Sequence, residues 1–150
     1  MGVSQWAGVI KSYDAKVPAP TFVEGSKGAN GFTRQTVVQA ASLAIEYQSG
    51  QHVTVTLTTN AAFVFAAPTF GGVAFSALSS SQAAALAGVL LRITVSNTSG
   101  GAHGAGTFNA AFKTIGNWPA TADTTNRTME FEWNGTNWIE QWQTSADVAN

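Results

Sequence analysis

The sequence predicts an all-β chain: an antiparallel β-sandwich of jelly-roll type, with about eight strands, one short helix and an extended N-terminal arm. Three observations lead there. From Thr36 onward the apolar period is mostly two, turn residues recur about every ten residues, and only one segment has helical character. At 150 residues the chain fits one domain able to bury a sizeable core.

The first 35 residues stand apart. "KVPAPTFVEGSKGANGFTRQ" carries Pro18, Pro20, Gly25, Gly28 and Gly31, with Lys16, Lys27 and Arg34, and such a stretch makes little regular structure alone. Trp6, Val9, Ile10, Tyr13, Phe22 and Val23 are more apolar than a disordered tail requires. Residues 1–35 are therefore read as an extended arm that orders on a partner surface, with Trp6, Ile10, Tyr13 and Phe22 as its attachment contacts, and residues 36–150 as the β-sandwich.

Strands follow in order. "TVVQAASLAIEY" supplies one or two. "HVTVTLTT" alternates Val53, Val55 and Leu57 against Thr54, Thr56 and Thr58, as a half-buried strand does. "AFVFAAP", "GVAFSAL", "LLRITVSNT" and "GTFNAAFKTI" are further short β-branched or aromatic runs between turns. "SSSQAAALAG" is the exception, a short helix with a serine cap and Gly88 as its stop. The last two strands flank Asn134-Gly135, a pair suited to a tight hairpin turn. A two-residue loop pairs Phe131 with Trp138, whereas a three-residue loop with a bulge pairs Phe131 with Ile139. The first register sends Trp138 and Trp142 to the face of Phe131; the second sends both to the opposite face, where another chain must cover them.

Composition excludes several classes of function. Seven basic and eight acidic residues give a net charge of −1 with only 10% charged residues, so the clustered basic face of a nucleic-acid binder is missing. So little charge suggests surface covered by neighbouring subunits. The chain has no cysteine, which removes thiolate metal sites and thiol nucleophiles. The N-terminal stretch lacks a basic region followed by a long apolar run, and "AAALAGVLL" is too short to span a bilayer, so neither a cleavable signal nor a membrane partner is expected.

Catalytic patterns are weak. His52 and His103 show no metal-ligand spacing, and "GGAHGAG" lacks the Lys-Ser/Thr of a phosphate loop. Glu130, Glu132 and Glu140 approach one another if the hairpin forms, the raw material of a glycosidase pair, but Glu130 and Glu132 alternate with Met129, Phe131 and Trp133 and so read as an outward face. Trp118, Trp133, Trp138 and Trp142 could build a sugar-stacking platform, although tryptophan on a strand more often packs inward or into a subunit contact. No enzyme, metal or cofactor is expected.

One resemblance adds to this reading. The run "FEWNGTNWIEQWQTSADVAN", with Trp133, Asn134, Gly135, Thr136, Asn137, Trp138 and Glu140 and then Ala146, Asp147, Val148 and Asn150, resembles the C-terminal ending of tailed-bacteriophage virion proteins. "ITVSNTSGGAHGAGTFNAAFKTIG" upstream is similar to the segment that precedes that ending; Ala149 stands where proline is usual, and Gln143 where arginine often follows. Such proteins are head decoration, head fibre, tail fibre or spike components, commonly trimers of β-sandwich knobs. The resemblance implies a non-enzymatic structural part of a virion, made in the host cytoplasm, homotrimeric, and bound to the major capsid protein or to a fibre or tail component. As a capsid decoration protein or short head fibre it would attach through its arm, with Phe131, Trp133, Trp138 and Trp142 in the core hairpin or a subunit interface. The alternative is a tail-fibre or spike tip that binds a host receptor or glycan, with Phe70 and Trp118 as loop contacts.

Overall fold

The computed structural model describes residues 34–103, 106–115, 118 and 121–149. The attachment contacts expected at Trp6, Ile10, Tyr13 and Phe22 lie outside them. Residues 34–150 form one compact unit.

Among the described residues there are twelve strands and one α-helix. The long strands are β1 (Arg34–Val38), β3 (His52–Leu57), β7 (Leu90–Asn97), β10 (Thr125–Trp133) and β11 (Trp138–Gln143). Seven two-residue strands join them: β2 (Ser42–Leu43), β4 (Val64–Phe65), β5 (Thr69–Phe70), β6 (Val73–Ala74), β8 (Thr107–Phe108), β9 (Phe112–Lys113) and β12 (Val148–Ala149). Helix α1 (Ser80–Ala85) is the expected short helix: Ser79 accepts from the Gln82 N–H, the Gln82 side chain returns to the Ser79 N–H, and Gly88 turns with φ +86°.

The all-β class holds, with sheets packed face to face around one core. The large sheet has the order β1-β3-β7-β10-β11-β9, with β12 added to β10, and the small one the order β2-β4-β8. Strand direction is mixed. β10 is antiparallel to β7, β11 and β12, as an antiparallel sandwich requires. The pairs β1–β3 and β3–β7, and β2–β4 and β4–β8 in the small sheet, are parallel. Each of β1, β3 and β7 in the large sheet is followed by β2, β4 or β8 in the small one, in the same spatial order. The chain therefore winds three times between the two sheets before β10 and β11 turn antiparallel and close the large sheet. Alternating hydrophobicity specifies which face of a strand is buried and is silent on its direction, so the sequence pattern carried the faces and missed the coil.

Glutamine side chains fasten one winding to the next. Gln35 Nε2 donates to the Glu46 and Gly50 carbonyls at 3.0 and 2.8 Å. Gln39 Oε1 accepts from the Thr58 and Thr59 amides, while its Nε2 donates to the Thr59 and Ala61 carbonyls. Each bond satisfies a backbone group that lies beyond a strand end and so lacks a ladder partner.

The core lies between the sheets. Val53, Val55, Leu57, Leu91, Ile93, Val95, Met129, Phe131, Trp133 and Trp138 from the large sheet meet Leu43 and Phe65 from the small one, all buried. Phe65 and Phe108 stack at 4.7 Å, and Phe108 reaches Phe131 of the opposite sheet at 5.6 Å. Gly106 precedes β8 because a Cβ there would overlap the Phe63 ring. The run "GVAFSAL" forms only β6 before a 3-10 turn over Phe75–Ala77, and "GTFNAAFKTI" splits at a turn on Asn109, with β8 in the small sheet and β9 in the large.

Candidate functional site

The closing hairpin adopts neither expected register. Its loop is four residues, 134–137: Trp133 pairs with Trp138, Glu132 with Ile139 and Phe131 with Glu140. Asn134 sets this length, because its Oδ1 accepts from the Thr136 and Asn137 amides at 2.9 and 2.8 Å and Gly135 takes φ +92°. A β-bulge then skips Gln141, so that Glu130 pairs with Trp142 and Met129 with Gln143. One extra residue inverts the side-chain parity of the strand. Trp138 therefore shares the core with Phe131 and Trp133, while Trp142 faces out with 44% of its surface exposed. The expectation that Trp138 and Trp142 lie on the same face is corrected by this bulge.

The remaining candidates separate. Trp118 is buried against Phe65 and Phe108 and so does not present the loop aromatic expected of a receptor contact, and Phe70 lies on strand β5, half-buried against Phe75. Of the four tryptophans considered as a stacking platform, only Trp142 reaches the surface. The carboxylates split as well. Glu130 and Glu132 share the outward face as expected, but the four-residue loop sets Glu140 opposite Phe131 on the inner face, where its Oε2 accepts from the Ile115 amide at 2.7 Å. His103 is buried beside Phe63 and within 3.4 Å of Gln39 Nε2. Among the described residues no group of three His, Asp or Glu could hold a metal ion.

What the structure does assemble is a hydroxyl-rich outer face on the large sheet. Strand register lays it out in rows. One row reads Thr36, Thr54, Thr94 and Thr128 across β1, β3, β7 and β10. The next reads Val38, Thr56, Ser96 and Asn126, continuing to Val148 on β12. On the other side lies Arg34, His52, Arg92, Glu130 and Trp142. Leu90, Glu132, Ile139 and Lys113 complete the face. His52 Nε2 lies 3.1 Å from Thr94 Oγ1, which lies 3.0 Å from Thr128 Oγ1, and Arg92 pairs with Glu130 at 2.6 Å. Sequence reading identified the alternating threonines of β3 but not this face, since adjacency of β3, β7 and β10 follows from topology alone.

Two carboxylates act as backbone clamps. Glu46 accepts from Gln48 N, Gly71 N, Gly72 N and Thr69 Oγ1 and so fixes the β5–β6 hairpin. Burial pushes its carboxyl up, but these four donors together outweigh burial and hold it below the ordinary value of 4.5. Asp147 is held low mainly by its bond from Arg127, against a small burial effect and with help from the Ala122 amide. A lowered carboxyl adds stability that is complete above the unfolded value and disappears as pH falls through the folded one. For His52, burial first and then Arg34 and Arg92 disfavour the charged ring, so protonation below the ordinary 6.5 also opposes folding. All three act in one direction. The melting temperature is expected to fall steadily from pH 7 to pH 3, with a shallower acid limb in Glu46→Gln; an acid limb as steep as that of the wild type in a pH series of thermal melts would contradict the Glu46 assignment.

The chain matches no protein-family model, and no curated protein or solved structure matches it.

Proposed function

We propose that this chain is a non-enzymatic structural component of a tailed-phage particle, a capsid decoration protein or short head fibre attached through residues 1–35. The observation that carries the reading is the C-terminal run from Phe131 to Asn150 and its resemblance to the closing segment of such proteins. The contacts made by its residues support that reading, because they are the contacts of a fold-closing segment. Trp133 and Trp138 fill the core, Asn134 and Gly135 set the turn, Glu140 holds the Ile115 amide, Asp147 binds Arg127, and Val148 adds a strand to β10. A ligand site would direct several of these groups to solvent; here the side chains of Trp133, Trp138, Glu140 and Asp147 are engaged with the protein, while Val148 is exposed on the outer face.

The test uses two proteins, the full chain and residues 34–150, each incubated with purified particles of a phage that carries this protein, stripped of it beforehand. The full chain is expected to sediment with the particles and to saturate at a fixed stoichiometry, while the shortened chain folds and stays in solution. Particle binding by residues 34–150 at the level of the full chain would refute attachment through the arm, and absence of binding by either would refute decoration.

A further inference from the structure

We infer that the outer face of the large sheet is a self-association surface whose occupant is a second copy of this chain. Apolar exposure is concentrated there. Six large hydrophobic side chains are exposed among the described residues, and four of them, Val38, Leu90, Trp142 and Val148, lie on this face. Scattered singly such residues need no explanation; gathered on one face they do. Between them lie short neutral hydroxyls with little conformational freedom to lose, a surface on which another sheet can rest closely.

The charges name the partner. The β1-β3-β7 half of the face carries Arg34 and Arg92, whereas β10 carries Glu130 and Glu132, with Lys113 at the far edge on β9. The midline of the six-strand order falls between β7 and β10. A copy facing this sheet with its halves reversed brings Arg92 over Glu130 and Glu130 over Arg92, threonine over threonine, and Trp142 over His52. No foreign partner is needed to explain a face that is complementary to itself. Six strands about 4.8 Å apart, with about seven residues of about 3.3 Å each along the central strands, give on the order of 600 Å² of projected area. That approaches the ~800 Å² per partner of a standard interface. The inference is independent of the particle reading above, because a chain foreign to any virion would carry the same face.

A charge-reversal pair tests it in the full chain. R34E/R92E makes both halves acidic, and E130R/E132R makes both basic. By light scattering after gel filtration at micromolar concentration, the wild type is expected at an assembled mass. Each variant alone is expected at monomer mass with an unchanged circular dichroism spectrum, and an equimolar mixture of the two at the assembled mass again. Should a charge-reversal variant fail to fold, Thr128→Arg, which sets one unmatched charge in the middle of the face, is expected to reduce the assembly to monomer. A monomeric wild type would overturn the inference, including one whose Trp142 emission responds to a neutral oligosaccharide, which would assign the face to a glycan. Variants that assemble alone as the wild type does would overturn it too.

Discussion

Trp138→Ala is expected to destabilise residues 34–150 by about 3–5 kcal/mol, the range for removing a large aromatic from a closed core. Against the ~5–15 kcal/mol that holds a domain of this size, that is enough to leave much of the protein unfolded at growth temperature. The reason is position. Trp138 is fully buried, pairs across the hairpin with Trp133, and meets Phe75 at 4.8 Å and Tyr47 at 5.8 Å, so its loss opens the place where the closing hairpin and the β5–β6 region pack together. A second variant sharpens the expectation. Neither Trp133 Nε1 nor Trp138 Nε1 has a hydrogen-bond partner among the described residues, and a buried donor without one costs about 1–3 kcal/mol. Trp138→Phe removes that burden along with part of the ring, so its net cost is expected to stay under about 1.5 kcal/mol, the limit for a well-tolerated apolar swap. Chemical denaturation of the two variants checks this, and equal losses would show that the indole N–H carries no penalty.

Asn97→Asp is expected to be more damaging than Asn97→Ala. Asn97 is fully buried at the end of β7, where Nδ2 donates to the Gly101 and Thr121 carbonyls at 2.8 Å each and Oδ1 accepts from Ser99 N and Ser99 Oγ. Alanine deletes all four bonds, but the Thr121 carbonyl keeps the His103 amide as a donor, and the single Ser99 hydroxyl proton, released from Oδ1, can turn to the Gly101 carbonyl. The expected cost is about 2–3 kcal/mol, mostly from the Ser99 amide and the lost volume. Aspartate turns a donor into an acceptor that faces two carbonyl oxygens, and it places a charge where water is excluded. Its deficit is expected to exceed that of alanine at pH 7 and to shrink as the pH falls, because a protonated carboxyl can donate to one of the carbonyls. Thermal melts of both variants at pH 7 and pH 4 read this directly; an aspartate variant as stable as the alanine variant at pH 7 would contradict the geometry of the knot.

The sequence revealed what depends on neighbours one or two positions apart. Val53, Val55 and Leu57 alternate with threonine because one face of β3 is buried, and Ser79 with Gly88 brackets α1 because each end of a helix needs its own chemistry. What depends on distant pairing was hidden. The three windings between sheets, the split of Phe108 and Phe112 between two sheets, and the threonine row across four strands all arise from contacts many residues apart. The hairpin shows the boundary within one motif. Asn134-Gly135 announced a turn, but the four-residue loop needs the Asn134 side chain to accept two amides. The bulge at Gln141, which decides that Trp142 faces out, leaves no mark in a period-two pattern.

On the proposed reading, the closing segment completes the fold and the hydroxyl-rich outer face of the large sheet carries the contact between copies. Trp142, considered first as part of a ligand platform, lies exposed at one side of the face proposed for self-association.

The most direct measurement for the proposed virion role is immunogold electron microscopy with an antibody against residues 34–150, applied to purified particles of a phage whose genome carries this sequence. Regularly spaced label over the capsid shell is expected, at a density that fits one oligomer per repeating capsid position. Bare particles, with the protein abundant in the same infected-cell lysate, would contradict it.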